Sequence, residues 1–146
     1  MKNLLRNSIM LLFMGMLLLP NSVKAGEKTA VLSVFEKYGN KKGVIMLEAS
    51  KKLLKQYKIK QFKSIIFEDG TEALPVIRAC IEKDKIHAVK VKEIVQDGEV
   101  VSGFYRLKTD SPDMNRYLIF KVQDKKTTLI YVEGALTTEE LVQLLK

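Results

Sequence analysis

The stretch Ala88–Leu107, AVKVKEIVQDGEVVSGFYRL, decides the fold of this chain. Val89, Val91 and Val95 alternate at the two-residue period of a strand. A helical reading competes, because Ala88, Val91, Ile94 and Val95 also lie on one stripe of a 3.6-residue repeat. The segment is rich in β-branched side chains, which pack well on a pleated surface. Asp97-Gly98 then supplies two residues that tolerate positive φ, as a tight hairpin turn requires. The expectation is a strand, a turn and a returning strand from Val100 to Leu107.

The pattern continues downstream. Lys108 to Asn115, with Ser111-Pro112, is a polar loop. Tyr117 to Val122 and Thr127 to Val132 form a second hairpin across Asp124-Lys125-Lys126. Thr137 and Glu140 stand at capping-box spacing and open a last helix, with Leu141, Leu144 and Leu145 as its buried face.

Upstream, the character is helical and strand-like in turn. Val31, Val34, Phe35 and Tyr38 mark one stripe of a helix over Lys28 to Tyr38, with Gly39 as its stop. Val44 to Leu47 is wholly apolar, which predicts a strand covered on both faces. Ser50 caps a second helix whose Leu53, Leu54 and Tyr57 are expected to face inward. Phe62 to Phe67 has apolar residues of both parities and reads as another central strand. Glu68-Asp69-Gly70 leads into a third helix, Leu74 to Lys83, in which Pro75 is tolerated because it falls in the first turn. Leu74, Ile77, Cys80 and Ile81 share its inner face. The whole is an α+β chain: a mixed, mostly antiparallel sheet with about four helices packed against it.

The N-terminus carries a different signal. In MKNLLRNSIMLLFMGMLLLPNSVKA, Lys2 and Arg6 precede the apolar run Ile9–Leu19, and Pro20 and Val23-Lys24-Ala25 follow it. A bilayer span needs roughly 20 apolar residues, so this run is short for an anchor and fits a cleaved export signal over 1–25. Residues 26–146 would then form a single domain of about 120 residues. A lipoprotein signal needs Cys directly after the cut, where Gly26 stands, so an exported, periplasmic or secreted protein without a lipid anchor is expected. No later stretch is apolar enough to span a membrane.

The full chain has a formal charge of +8. Lys2, Arg6 and Lys24 leave with the signal and no acid does, which lowers the charge to +5. Export removes the usual reason to read a basic chain as a nucleic-acid binder. An envelope protein or an anionic glycan or lipid surface is the expected partner. Cys80 is the one cysteine, so no internal disulfide can form.

No local motif names a reaction. His87 is the single histidine and has no Cys or carboxylate at ligand spacing. A Cys80–His87 thiol–imidazole pair is disfavoured, since Cys80 sits on an apolar helix face where a thiol behaves as a small hydrophobe. Asp110 to Asn115 concentrates oxygen atoms but lacks the alternate acids, central Gly and distal Glu of a calcium loop. No catalytic residue, cofactor or metal site is assigned. An enzyme working with carboxylates would draw on Glu36, Glu48, Glu68, Asp69 and Glu93, two of which would have to meet in a cavity.

The surface feature that stands out is basic. Lys51, Lys52, Lys55, Lys58, Lys60 and Lys63 interleave with Leu53, Leu54, Tyr57, Ile59 and Phe62. On an amphipathic helix and the edge after it, they would set up a positive field for an anionic partner. A solvated helix face is the plainer account of the same pattern. The cluster contains no Arg, the residue suited to bidentate phosphate or carboxylate recognition.

The run Val34 to Val44, VFEKYGNKKGV, the Ser50-Lys51 helix start, Asp97-Gly98-Glu99 and the ending Leu129 to Leu136, LIYVEGAL, together resemble small exported proteins of unknown function common in Bacteroidetes. The resemblance implies export, a Gram-negative envelope setting and a link to envelope stress or signalling. It implies no catalytic residues. The function expected is a non-enzymatic binding or interaction module of the cell envelope. The alternatives are the carboxylate enzyme and a structural protein that self-associates through sheet edges.

Overall fold

The computed structural model describes residues 29–146, and the expected export signal lies outside them. Ten elements follow in chain order: α1 (Leu32–Tyr38), β1 (Val44–Glu48), α2 (Lys51–Gln56), β2 (Ile59–Phe67), α3 (Leu74–Lys85), β3 (Ala88–Gln96), β4 (Glu99–Leu107), β5 (Asn115–Gln123), β6 (Lys126–Gly134) and α4 (Thr138–Leu144). The strands form one six-stranded sheet in the order β1-β2-β6-β5-β4-β3. Each ladder is antiparallel, so the α+β class holds and the parallel pairing of a mixed sheet does not occur among the described residues.

Topology explains that uniformity. The chain leaves β2, crosses one face as α3, and lands at the far edge as β3. Three hairpin-linked strands then lead it back until β6 pairs with β2, Phe62 opposite Val132 and Ile65 opposite Leu129. Ala88–Gln96 is a strand, and Asp97 and Gly98 take φ of 51° and 79° in the turn that follows. Two successive positive φ values match the twist of the flanking strands.

The alternation of the strands divides the core into two layers. Ile65, Phe67, Tyr105, Leu118, Phe120, Leu129 and Tyr131 face α1 and α3. Tyr117, Val132, Ile59 and the partly buried Phe62 and Ile130 face the opposite way, against Leu136, Leu141 and Leu54. In α1 the predicted stripe of Val34, Phe35 and Tyr38 is buried. In α3, Ile77 and Ile81 are buried, while Leu74 and Cys80 pack at the margin. Pro75 falls in the first turn of that helix. Around α4, Thr137 Oγ1 accepts the Glu140 N–H at 3.2 Å and Glu140 Oε1 accepts the Thr137 N–H at 3.1 Å, which completes the capping box.

Three inward assignments are overturned. β1 is an edge strand, not a central one, and Ile45 and Leu47 are 47% and 54% exposed. An apolar run shows that a strand packs, but its place in the sheet depends on β6 returning to β2 rather than to β1. Leu53 and Tyr57 are 49% and 42% exposed, because α2 has only six residues and lays Leu54 alone against the core. Leu145 lies just past α4 and is exposed as well. Among the described residues, no helix is long and apolar enough to cross a membrane.

Candidate functional site

Lys51, Lys52 and Lys55 stand exposed on α2, which Ser50 caps by accepting the Leu53 N–H at 3.3 Å. None of the three has an ion pair to a described residue. Lys58 takes the left-handed conformation, φ 60°, and swings the chain from α2 into β2. Its carbonyl accepts the Ala135 N–H at 2.8 Å. Position 134 must then be glycine, since a Cβ there would stand 2.5 Å from that carbonyl oxygen. Lys58, Lys60 and Lys63 each meet a carboxylate: Glu140 at 3.6 Å, Glu133 at 3.6 Å and Glu48 at 4.0 Å. Lys63 also shares parity with Ile65 and Phe67, so it leaves the sheet on the face opposite α2. The six lysines are thus one unpaired trio on α2 and three locally neutralised neighbours.

Beside the trio runs an apolar groove of about 180 Å³ between α2 and the C-terminal end of the chain. Leu53, Leu54, Tyr57, Phe62, Leu144 and Leu145 line it. The half-exposed Leu53 and Tyr57 form its lip. Lysines without counter-charges beside exposed apolar side chains make a surface that is both basic and greasy.

A second concavity, about 230 Å³, opens between α3 and the β3–β4 hairpin, with Ile81, Phe120 and Tyr105 as its floor. Glu93 is the hub. Lys85 Nζ donates to both its oxygens, at 2.9 and 3.0 Å, and Tyr105 Oη donates to Oε2 at 2.6 Å. Burial pushes the Glu93 carboxyl up, but the Tyr105 and Lys85 bonds outweigh it, so its pKa is lowered. The hydrogen bond to Glu93 raises Lys85, and burial together with Glu93 raises Tyr105. Glu82 also lies 3.5 Å from Lys85, and Glu99 accepts from Arg78 at 3.1 Å. Each acid here is tied to a cation, and the lowered pKa of Glu93 is the reverse of what a general acid needs.

Of the five acids an enzyme would have drawn on, Glu93 alone lines this cleft. Glu36 and Glu68 are exposed, Glu48 pairs with Lys63, and Asp69 accepts from Thr71 N–H and Oγ1–H at 3.0 and 2.6 Å. Among the described residues, no two of them line one of these cavities. Cys80 Sγ lies 3.8 Å from Ser33 Oγ. Among the described residues, no three of His, Cys, Asp and Glu gather as a metal-binding group.

Asp84 escaped the sequence reading, which ended the third helix one residue short of it. Its carboxylate is buried and accepts the main-chain N–H groups of Ala30 at 2.6 Å and Val31 at 2.9 Å. The signal was available: Ile77, Ile81 and Asp84 follow the four-three step of one stripe, so an acid occupies a core position.

Comparison with known proteins adds a family and little else. Among curated proteins, none matches the chain. A solved structure of a protein of unknown function from Pseudomonas aeruginosa, PA94, is similar over 71% of this chain and 75% of its own, at 11% identity and a TM-score of 0.33. The model of a family of unknown function, DUF6108, matches residues 18–145, and the chain belongs to that family.

Proposed function

We propose that the protein is a non-enzymatic interaction module of the cell envelope that docks on an anionic lipid surface through α2. The observation that carries this reading is the pairing of unneutralised Lys51, Lys52 and Lys55 with half-exposed Leu53 and Tyr57. An interfacial helix buries apolar side chains among acyl chains while its lysines meet anionic headgroups. A glycan would use the charge but leave the groove unexplained. The apolar N-terminal run and basic n-region support export, which would bring the domain to an envelope membrane. The test is co-sedimentation of the processed protein with vesicles. Binding is expected to phosphatidylglycerol-containing vesicles, to fall with added salt, and to be lost on replacing Lys51, Lys52 and Lys55 by Glu. Equal binding to neutral vesicles, or an unaffected triple variant, would remove the reading.

A second reading, self-association through a sheet edge, has its own observation. The two edges of the sheet are built differently. β3 carries Lys90 and Lys92 and has register shifts after Ala88 and after Ile94, devices that discourage strand addition. β1 has neither Lys, Pro nor bulge, and it displays Ile45 and Leu47.

A further inference from the structure

The sheet face that carries α2 and α4 is only partly covered. Its ladders set the side chains in rows. Phe62, Val132, Tyr117, Arg106 and Lys90 stand opposite one another in the row beneath those helices. Of these, Phe62, Val132 and Tyr117 share a cluster with Leu54, Leu136 and Leu141. The next row is Leu47, Ser64, Ile130, Ile119, Phe104 and Lys92. Its centre touches the same cluster, but Ile130, Ile119 and Phe104 stay partly exposed. The third row is Ile45, Ile66, Thr128, Lys121, Ser102 and Ile94. Ile66 belongs to neither core layer, and Ile94 is 58% exposed.

A sheet face turned to water ordinarily shows polar side chains. Here the second and third rows hold an apolar residue from each of the six strands. A continuous apolar patch of this kind marks a place where something docks. The charges beside it have one sign. Lys90, Lys92, Arg106 and Lys121 gather on β3, β4 and β5, and none has an ion pair to a described residue. No Asp or Glu stands in any of the three rows.

Shape and charge together select the occupant. A second copy would bring the same lysines and no carboxylate. A flat bilayer that meets α2 is held off this floor by the thickness of that helix, about 10 Å. The floor is six strands wide, about 24 Å at the usual strand spacing, and its two rows lie about 7 Å apart. One helix of about 16 residues has that length, and its own width fills the step beside α2 and α4.

We infer that this floor docks an acidic amphipathic helix of a partner protein. The apolar stripe of that helix lies over Ile66, Ile130 and Ile119, and its carboxylates lie over Lys92, Lys121 and Arg106. The bound helix completes the layer that α2 and α4 begin, while its acids supply the missing counter-charges. This surface is separate from the lysine trio of α2 and does not depend on lipid docking there.

The test is an amide-resolved NMR titration of the processed protein with a synthetic helical peptide of about 16 residues, its leucine stripe flanked by glutamates. Saturable shifts at Ile66, Ile119, Lys121 and Ile130, with a dissociation constant below about 1 mM, are expected. The same peptide with lysines in place of the glutamates should bind about tenfold more weakly. Lys92→Glu combined with Lys121→Glu should abolish that preference without disturbing the fold, since both lysines are exposed. Ile66→Thr keeps a β-branched side chain in the strand and should weaken the acidic peptide several-fold. Lys51, Lys52 and Lys55 replaced by Glu should leave the peptide titration as it is, even where vesicle binding is lost. Equal binding of the two peptides, no saturable shift on the floor, or shifts confined to α2 would overturn the site. Phosphatidylglycerol vesicles that perturb Ile66 and Ile130 in the α2 triple variant would assign the floor to lipid and overturn it as well.

Discussion

Asp84 holds Val31 across 53 positions of sequence: its Oδ2 accepts the Val31 N–H at 2.9 Å while Oδ1 takes the Ala30 N–H. The carboxylate lies at the end of α3 and the two N–H groups just before α1, where a starting helix leaves donors without partners. One side chain thus fastens the beginning of the described chain to the helix that crosses the sheet. Asp84→Ala should destabilise the protein by about 3 kcal/mol, since each buried N–H left unpaired costs roughly 1–3 kcal/mol. The pH dependence has a definite sign. Burial raises the Asp84 pKa above 3.8 despite the two N–H bonds. The folded state then holds this proton more tightly than the unfolded chain, so the contribution is full below about 3.8 and declines as pH rises through the folded value. Denaturant melts of Asp84→Asn and the parent between pH 3 and 7 should differ by an amount that changes in that window and is flat above it.

Glu93 titrates in the opposite sense. Its pKa is lowered, so the stability it contributes through Lys85 and Tyr105 is present above its ordinary value near 4.5 and fades as pH falls through the folded value. Glu93→Gln should cost about 1–2 kcal/mol at neutral pH and much less in acid. Gly103, opposite Glu93 in the ladder, belongs to the same arrangement. The Tyr105 ring lies across it to reach Glu93, and a Cβ at 103 would stand 2.5 Å from the ring carbon Cε2. Gly103→Ala should therefore displace the tyrosine and cost roughly 1–3 kcal/mol. Near-neutral melting of that variant would contradict the account.

Local chemistry made much of this fold legible. Asp97-Gly98, Ser50 and the Thr137–Glu140 pair act within a few residues, and each turn or cap formed where its residues stand. The buried stripes of α1 and α3 were equally plain, because helical spacing reports a face. What the sequence withheld depends on distant partners. Whether Val44–Leu47 is central or marginal is decided by a strand more than eighty positions later. The exposure of Leu53 follows from how little of a six-residue helix can reach the sheet. The lysines were visible as a run, but only the fold separates Lys51, Lys52 and Lys55 from the three that Glu140, Glu133 and Glu48 neutralise.

The half-exposure of Leu53 and Tyr57 separates function from stability. Leu53→Ser and Tyr57→Ser should each cost less than about 1 kcal/mol, because little apolar area is withdrawn from water in the folded state. Both should weaken binding to anionic vesicles. Leu54→Ser, by contrast, removes the residue that packs α2 onto the sheet and should lower the melting temperature measurably. Thermal melts beside vesicle co-sedimentation for all three variants check this; weakened binding by Leu54→Ser alone would point to structure rather than docking.

The β1 edge yields a geometric prediction. Gly43 accepts the Glu68 N–H at 3.1 Å, and hydrogen-bonding positions alternate along an antiparallel pair. Ile45 and Leu47 accordingly turn their main-chain groups to β2, which leaves those of Val44, Met46 and Glu48 pointing outward. Two copies paired about Met46 would set Ile45 against Leu47 and Val44 against Glu48, with no like charges opposed. The same operation on β3 about Val91 or Lys92 brings lysine against lysine. Sedimentation velocity of the processed protein should show a concentration-dependent dimer that Leu47→Lys abolishes without lowering the melting temperature. Val91→Lys on the other edge should leave the mass unchanged. A parent protein that stays monomeric at about 1 mM, where even weak associations are populated, would show that β1 stays unpaired in solution.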